Sequence, residues 1–169
     1  MTPEMSQLRI LPAVESDVPV ILAMIRGLAE YEKLSHVCVA TEEQLRQTLF
    51  GPRPAAEVLL AYDGPSSDPD ACAGFALFFM NYSTFLARPG IWLEDLFVKP
   101  HARGKGIGFA LLRRLASIAK ERECGRMEWA VLDWNTPSID FYRSLGAVPL
   151  DEWTAYRLSG DELRRLAQR

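Results

Sequence analysis

The sequence predicts an α/β fold: a mixed central sheet, an antiparallel meander plus one parallel strand pair, flanked by helices. Three observations carry this. Glu57 to Tyr62, Ala71 to Met80 and Ile91 to Val98 are aromatic and aliphatic runs separated by turn chemistry, which reads as a meander. The next strand arrives only after a helix, and strand, helix, strand in that order implies a right-handed parallel crossover. The length, 169 residues, suits one domain of roughly 150, so residues 1–169 read as a single domain. At 49% hydrophobic, such a chain buries roughly 70% of its unfolded surface without metals or crosslinks.

A short strand around Leu8 to Leu11 opens the order. Ser16 can cap the first helix, whose apolar Val18, Ile21, Leu22, Ile25, Leu28 and Ala29 follow the 3.6 period. Its last turn, Glu30-Tyr31-Glu32-Lys33, is polar and aromatic. Thr41 and Gln44 are spaced as a capping box for a second helix that stops at Phe50-Gly51-Pro52. The biased stretch Asp63 to Asp70, DGPSSDPD, is a surface loop within the meander.

Strand Ile91 to Val98 leads through Lys99-Pro100 into a glycine loop. A helix follows with Ile107, Ala110, Leu111, Leu115, Ile118 and Ala119 on one stripe, and Cys124-Gly125 ends it with glycine in the left-handed position. Arg126 to Asp133 is the crossover strand. Thr136 as cap and Pro137 at the first helical position open a short helix that Gly146 closes. Ala147 to Leu150 and Trp153 to Leu158 read as two final strands, and Ser159 with Glu162 as a capping box before a terminal helix.

Composition excludes several function classes. Nineteen Lys and Arg against 22 Asp and Glu leave a net charge of −3, so no basic field gathers nucleic acid or an anionic membrane. Cys38, Cys72 and Cys124 are odd in number and form no metal-ligand spacing with His36 or His101, which read as surface residues. No metal site and reduced thiols in the cytoplasm are the expectations. MTPEMSQ shows no leader pattern, no run of eighteen apolar residues exists, and no GxSxG elbow supports a serine hydrolase.

The chemistry concentrates in Arg103-Gly104-Lys105-Gly106-Ile107-Gly108, between a strand and a helix start. Unpaired N–H groups and the helix dipole attract phosphate there, and glycines let the backbone approach closely. The alternative is a plain turn into a helix; three alternating glycines flanked by Arg and Lys favour a diphosphate. Phe109 stands where a dinucleotide fingerprint needs glycine, though Asp133 keeps a nicotinamide cofactor as an alternative. No Gly-Lys-Ser/Thr triplet exists for a Walker loop.

Arg103-x-x-Gly106-x-Gly108 resembles the R/Q-x-x-G-x-G/A motif of the GCN5-related N-acetyltransferases (GNAT), and the element order resembles that fold from residue 8 to 158. LAEYEKLS, WLEDLFV, ARGKGIG, AVLDWN and DFYRSLGA are similar to the diamine acetyltransferase group, which includes spermidine/spermine and thialysine enzymes. The resemblance implies acetyl-CoA as co-substrate. Leu96, Phe97 and Val98 would hold its pantetheine arm, residues 103–109 (Arg103, Gly104, Lys105, Gly106, Ile107, Gly108, Phe109) its diphosphate, and Asn135 and Tyr142 its thioester end. It also implies a homodimer.

Acyl transfer needs a neutral amine, and deprotonating an alkylamine of pKa about 10.4 at pH 7 costs about 4.6 kcal/mol. Glu94 and Asp95 are the candidate carboxylates, but strand alternation sends neighbours to opposite faces: Glu94 with Trp92, Leu96 and Val98, Asp95 with Ile91, Leu93 and Phe97. On that reading they form no dyad. The residues alone equally allow two structural ions and, at Tyr142, a core aromatic. By the resemblance Glu94 is the base, relaying the amine proton through water, Asp95 helps hold the cation, and Tyr142 is general acid to the departing thiolate.

Tyr31, Glu32 and Trp153 match family positions around the amine, where carboxylates and aromatic walls suit an ammonium. The implied reaction is N-acetylation of a small diamine, polyamine or lysine-like amino acid by direct attack. Tyr82-Ser83-Thr84 and Ala130 to Asn135 follow the thialysine branch, Pro137 and Ile139 the polyamine branch, and Phe85 stands where relatives carry tryptophan. A non-catalytic CoA sensor and a protein N-acetyltransferase are the alternatives.

Overall fold

The computed structural model describes residues 8–66 and 68–168; the N-terminal MTPEMSQ, and Ser67 in the biased loop, lie outside them. The chain divides into two units, one ending at Ala130 and the other beginning at Val131.

In the first unit, β1 (Leu8–Pro12), α1 (Val18–Tyr31), α2 (Glu42–Phe50), β2 (Glu57–Asp63), β3 (Cys72–Ser83), β4 (Arg88–Val98), α3 (Ile107–Glu121) and β5 (Met127–Trp129) follow in order. The sheet runs β1-β2-β3-β4-β5, antiparallel up to β4, with β5 parallel to it. This is the mixed sheet the sequence predicts. β5 is three residues long, not the eight of Arg126 to Asp133.

Local chemistry explains the helix ends. Thr41 and Gln44 form the expected capping box, Gln44 N–H donating to Thr41 Oγ1 at 3.3 Å and Thr41 N–H to Gln44 Oε1 at 3.0 Å. Ser16 is not the cap of α1: it lies in the 3₁₀ turn Glu15–Asp17, and Asp17 occupies the N-cap position before Pro19. After α3 the left-handed residue is Glu123 (φ 55°), not Gly125. A Cβ on Gly125 would sit 2.8 Å from the terminal Cδ1 of the exposed Leu86, which can turn aside.

Cross-strand partners point to the same face, so the register assigns the layers. Val58, Leu60, Tyr62, Phe75 and Phe97 share one face and pack with Val18, Ile21, Leu22, Met24, Leu45 and Leu49 of α1 and α2. Gly27 lets Phe97 reach the α1 backbone; its Cβ would lie 2.9 Å from the ring. The other face meets α3, where a Cβ on Gly74 would touch Ile107 and Val98 at 3.3 Å. Each buried large side chain here is worth about 1.5–3 kcal/mol, which fixes β4 between two layers.

In the second unit, Asn135 caps α4 (Thr136–Ser144), its Oδ1 accepting from Ser138 N–H at 3.4 Å. Thr136 and Pro137 are therefore the first two helical residues rather than cap and first. Gly146 closes α4 with φ 86°. α5 (Gly160–Ala167) begins after Ser159, whose side chain makes no cap bond, and Glu162 pairs with Arg165 instead of completing a box. Among the described residues no strand forms over 147–158, so the two expected final strands are absent. Their apolar content suits a strand, but a strand exists only with a hydrogen-bonded neighbour, and none is paired to them.

Candidate active site

The glycine loop has the backbone an anion requires. After the 3₁₀ turn Pro100–Ala102 and an extended Arg103, Gly104 and Gly106 take φ 76° and 78°, the left-handed region that penalises any side chain. No atom lies within 4 Å of where either Cβ would stand. The first helical bond of α3 runs from Ala110 N–H to the Gly106 carbonyl at 2.9 Å. The N–H groups of Ile107, Gly108 and Phe109 thus have no helical acceptor and sit at the positive end of the dipole. Ile107 contributes backbone alone, because its side chain is buried in the core.

The two cations of the loop are engaged with protein. Lys105 Nζ lies 3.1 Å from Asp63 Oδ2 at the end of β2. Arg103 stacks on Tyr31, its Cζ 4.4 Å from the ring centroid, and its Nε donates to the Val98 carbonyl at 3.0 Å. Tyr31, expected at the amine, therefore also forms part of the loop's support.

β4 carries the remaining features. β5 pairs with Ile91, Trp92 and Leu93 alone, so from Glu94 to Val98 that edge of β4 has no strand beside it among the described residues. An extended ligand with amide groups can pair there as an added strand does. Leu96 and Val98 lie on one face and are half-buried, while Phe97 is buried on the α1 side and can offer a ligand only its main chain.

The alternation predicted for Glu94 and Asp95 fails at a β-bulge. Leu93 pairs with Phe78 but Asp95 with Leu77, leaving Glu94 as the extra residue. Ile91 and Leu93 consequently face α3, while Asp95 and Phe97 share the face of α1. Trp92, opposite Phe79, is on the α1 side too, and its indole Nε1 donates to Glu94 Oε2 at 2.8 Å. The bulge thus brings both carboxylates to the α1 side, where period-2 reasoning separates them.

Electrostatics follow from this placement. Burial, then the charges of Glu94 and Glu32, push the Asp95 carboxyl up to about 6. Burial also raises Glu32, just past the end of α1. A buried carboxylate whose charge two neighbouring carboxylates disfavour is a site that attracts a cation.

In the second unit Asn135 is buried and serves as the α4 cap. Tyr142 is in the last two turns of α4, its ring centroid 5.5 Å from that of Phe141, and Trp153 lies in the irregular stretch after it. His36 and His101 are exposed, as expected. Cys72 is buried with its thiol pushed up by desolvation, while Cys38 and Cys124 are half-buried and unbridged. No cluster of three metal-ligating side chains occurs among the described residues, and none of their helices is long and apolar enough to cross a membrane.

Two contributors were not singled out from sequence. Trp92 was legible in principle as the i−2 neighbour of Glu94 on a strand, whereas nothing local links Asp63 to Lys105, 42 residues away.

The sequence pattern of the acetyltransferase (GNAT) family matches residues 23–147. The chain belongs to the GNAT family. Among GNAT relatives, the thialysine N-epsilon-acetyltransferase of Sus scrofa is 41% identical, the alignment covering 96% of this chain and 99% of that one. The L-ornithine N5-acetyltransferase of Arabidopsis thaliana is 37% identical, over 94% and 87%. An integron cassette protein from V. cholerae superposes with a TM-score of 0.80 at 28% identity, over 98% and 99%. This GNAT protein is an enzyme, an N-acetyltransferase, and its family uses acetyl-CoA as co-substrate.

Proposed function

We propose that the protein acetylates a primary amine of a small diamine, polyamine or lysine-like amino acid, by direct attack on acetyl-CoA within a ternary complex. The bulge in β4 carries this reading: it sets Glu94 and Asp95 on one side, near Glu32, on the strand that runs into the glycine loop. The names of the thialysine and ornithine relatives favour a lysine-like acceptor.

In this proposal the amides of residues 104–109 hold the diphosphate, and the open edge of Leu96, Phe97 and Val98 holds the pantetheine arm. Acetyl-CoA, when bound, supplies an activated thioester, so no covalent acyl-enzyme is needed. Glu32 and Asp95 hold the ammonium, with Tyr31 and Trp153 as aromatic walls. Glu94 takes the amine proton through water, offsetting the roughly 4.6 kcal/mol that deprotonation costs at pH 7. Asn135 orients the thioester end. Tyr142 donates its phenolic proton, or a hydrogen bond short of full transfer, to the departing sulfur.

The raised carboxyl of Asp95 favours a second assignment, in which Asp95 is the base, since a base works best with its pKa near the working pH. The whole chain, residues 1–169, would act as one domain in a cytoplasmic homodimer.

The deciding experiment follows free thiol release from acetyl-CoA over an amine panel for the parent, Glu94→Gln, Asp95→Asn and Tyr142→Phe. Release with a lysine-like amine that falls about 10²-fold or more in Tyr142→Phe supports the mechanism. Coenzyme A binding without release for any amine would mean a sensor; release with peptide amines alone would mean a protein acetyltransferase.

A further inference from the structure

We propose that the Arg103 side chain is a brace rather than a phosphate ligand: stacked on Tyr31, it holds the loop 103–108 in its anion-binding shape. Coenzyme A affinity would then depend on an aromatic ring that touches no phosphate. The inference rests on the reading above that this loop takes the diphosphate.

Gly104 and Gly106 have no side chains, and the space where theirs would be is open, so nothing at these positions fixes the loop. Glycine also loses more backbone freedom on ordering than other residues. Between them Lys105 is tied to Asp63 at 3.1 Å, and the rest of the loop is held from its flanks. On the helix side the buried Ile107 anchors it. On the strand side Arg103 does, with three contacts at once: Cζ 4.4 Å from the Tyr31 centroid, 5.9 Å from that of Phe97, and Nε on the Val98 carbonyl at 3.0 Å. Tyr31 is the last residue of α1, and Phe97 and Val98 are the last two of β4. One guanidinium thus ties a helix end, a strand end and the loop together.

The planar guanidinium matters here. A flat cation lies along an aromatic face while its Nε still reaches a carbonyl, which a lysine ammonium cannot reproduce.

The test titrates free coenzyme A, with no amine present, into the full chain by calorimetry, for the parent, Tyr31→Phe, Tyr31→Leu and Arg103→Lys. Omitting amine removes any effect of Tyr31 on substrate. Amide hydrogen exchange of residues 104–109 is measured alongside, without ligand, and thermal melting checks the fold. The brace predicts that Tyr31→Leu and Arg103→Lys each weaken binding about fivefold, the scale of an exposed cation–π contact, and speed exchange in the loop. Tyr31→Phe, which keeps the ring, should bind more tightly than Tyr31→Leu, and the Tyr31→Leu/Arg103→Lys double variant should be no weaker than either single. If Tyr31→Leu binds as the parent does with unchanged exchange, or Arg103→Lys retains full affinity, the brace is overturned. A parent that binds no coenzyme A overturns the proposed function, and the dependence on Tyr31 with it.

Discussion

The indole Nε1 of Trp92 donates a 2.8 Å hydrogen bond to Oε2 of Glu94, two residues along the same bulged strand. A bond to a charged acceptor is worth about 1.5–3 kcal/mol, enough to hold one carboxylate rotamer on an exposed side chain. Trp92→Phe keeps the ring and removes the donor. With Glu94 as base, kcat should fall about three- to tenfold, with the dissociation constant of coenzyme A unchanged. Equal kcat in the variant would mean that this bond does not orient the base.

Asp95 makes stability depend on pH in a definite direction. Its carboxyl is raised from 3.8 to about 6 in the fold, so between these values the native state holds the extra proton and stability falls as pH rises. The loss is complete above pH 6 and amounts to roughly 3 kcal/mol. Asp95→Asn removes it, so the variant should gain on the parent from pH 4 to pH 6 and stay ahead at pH 7 in urea melts. A difference constant across that range would show that Asp95 titrates normally.

The same residue separates the two base assignments. If Asp95 is the base, Asp95→Asn should lower kcat at saturating amine about 10²-fold or more while Glu94→Gln retains most of it. If Glu94 is the base, Glu94→Gln should lose kcat and Asp95→Asn should chiefly raise the KM of the amine.

Gly106 at φ 78° is required by backbone conformation, not by crowding. Gly106→Ala places a side chain in the left-handed region, at about 1–2 kcal/mol, and puts a methyl in the open cradle. Coenzyme A affinity should drop about tenfold or more while the melting temperature shifts by a few degrees. Unaltered affinity would place the diphosphate elsewhere.

Gly74 is constrained by space. A Cβ there would stand 2.8 Å from the Phe97 carbonyl oxygen, a main-chain atom that cannot move alone. Gly74→Ala should destabilise by about 1–3 kcal/mol, the usual scale of overpacking, read as a lower urea midpoint. An unchanged midpoint would show that β3 and β4 can separate there at little cost.

These features were unequally legible in the sequence. Thr41 and Gln44, three residues apart, carry their own hydrogen-bond geometry, and the capping box forms as read. Gly104 and Gly106 could be recognised because a left-handed backbone leaves a residue-type trace. The bulge at Glu94 leaves none: it involves no glycine and arises from which residue of β3 each residue of β4 meets. Alternation from Ile91 therefore predicts the wrong face for Asp95 relative to Leu93. Asn135 and Thr136 are adjacent and both able to cap, so sequence could not choose the buried one. At 147–158 the apolar residues supplied the look of strands, but pairing partners are a property of the fold.

The central claim is that the amides at the start of α3 grip the diphosphate of coenzyme A. A crystal structure of the protein soaked with coenzyme A tests it most directly. Density for the diphosphate against residues 104–109, with the pantetheine arm along Leu96 to Val98, is the predicted result; an empty loop, or coenzyme A bound elsewhere, would contradict it.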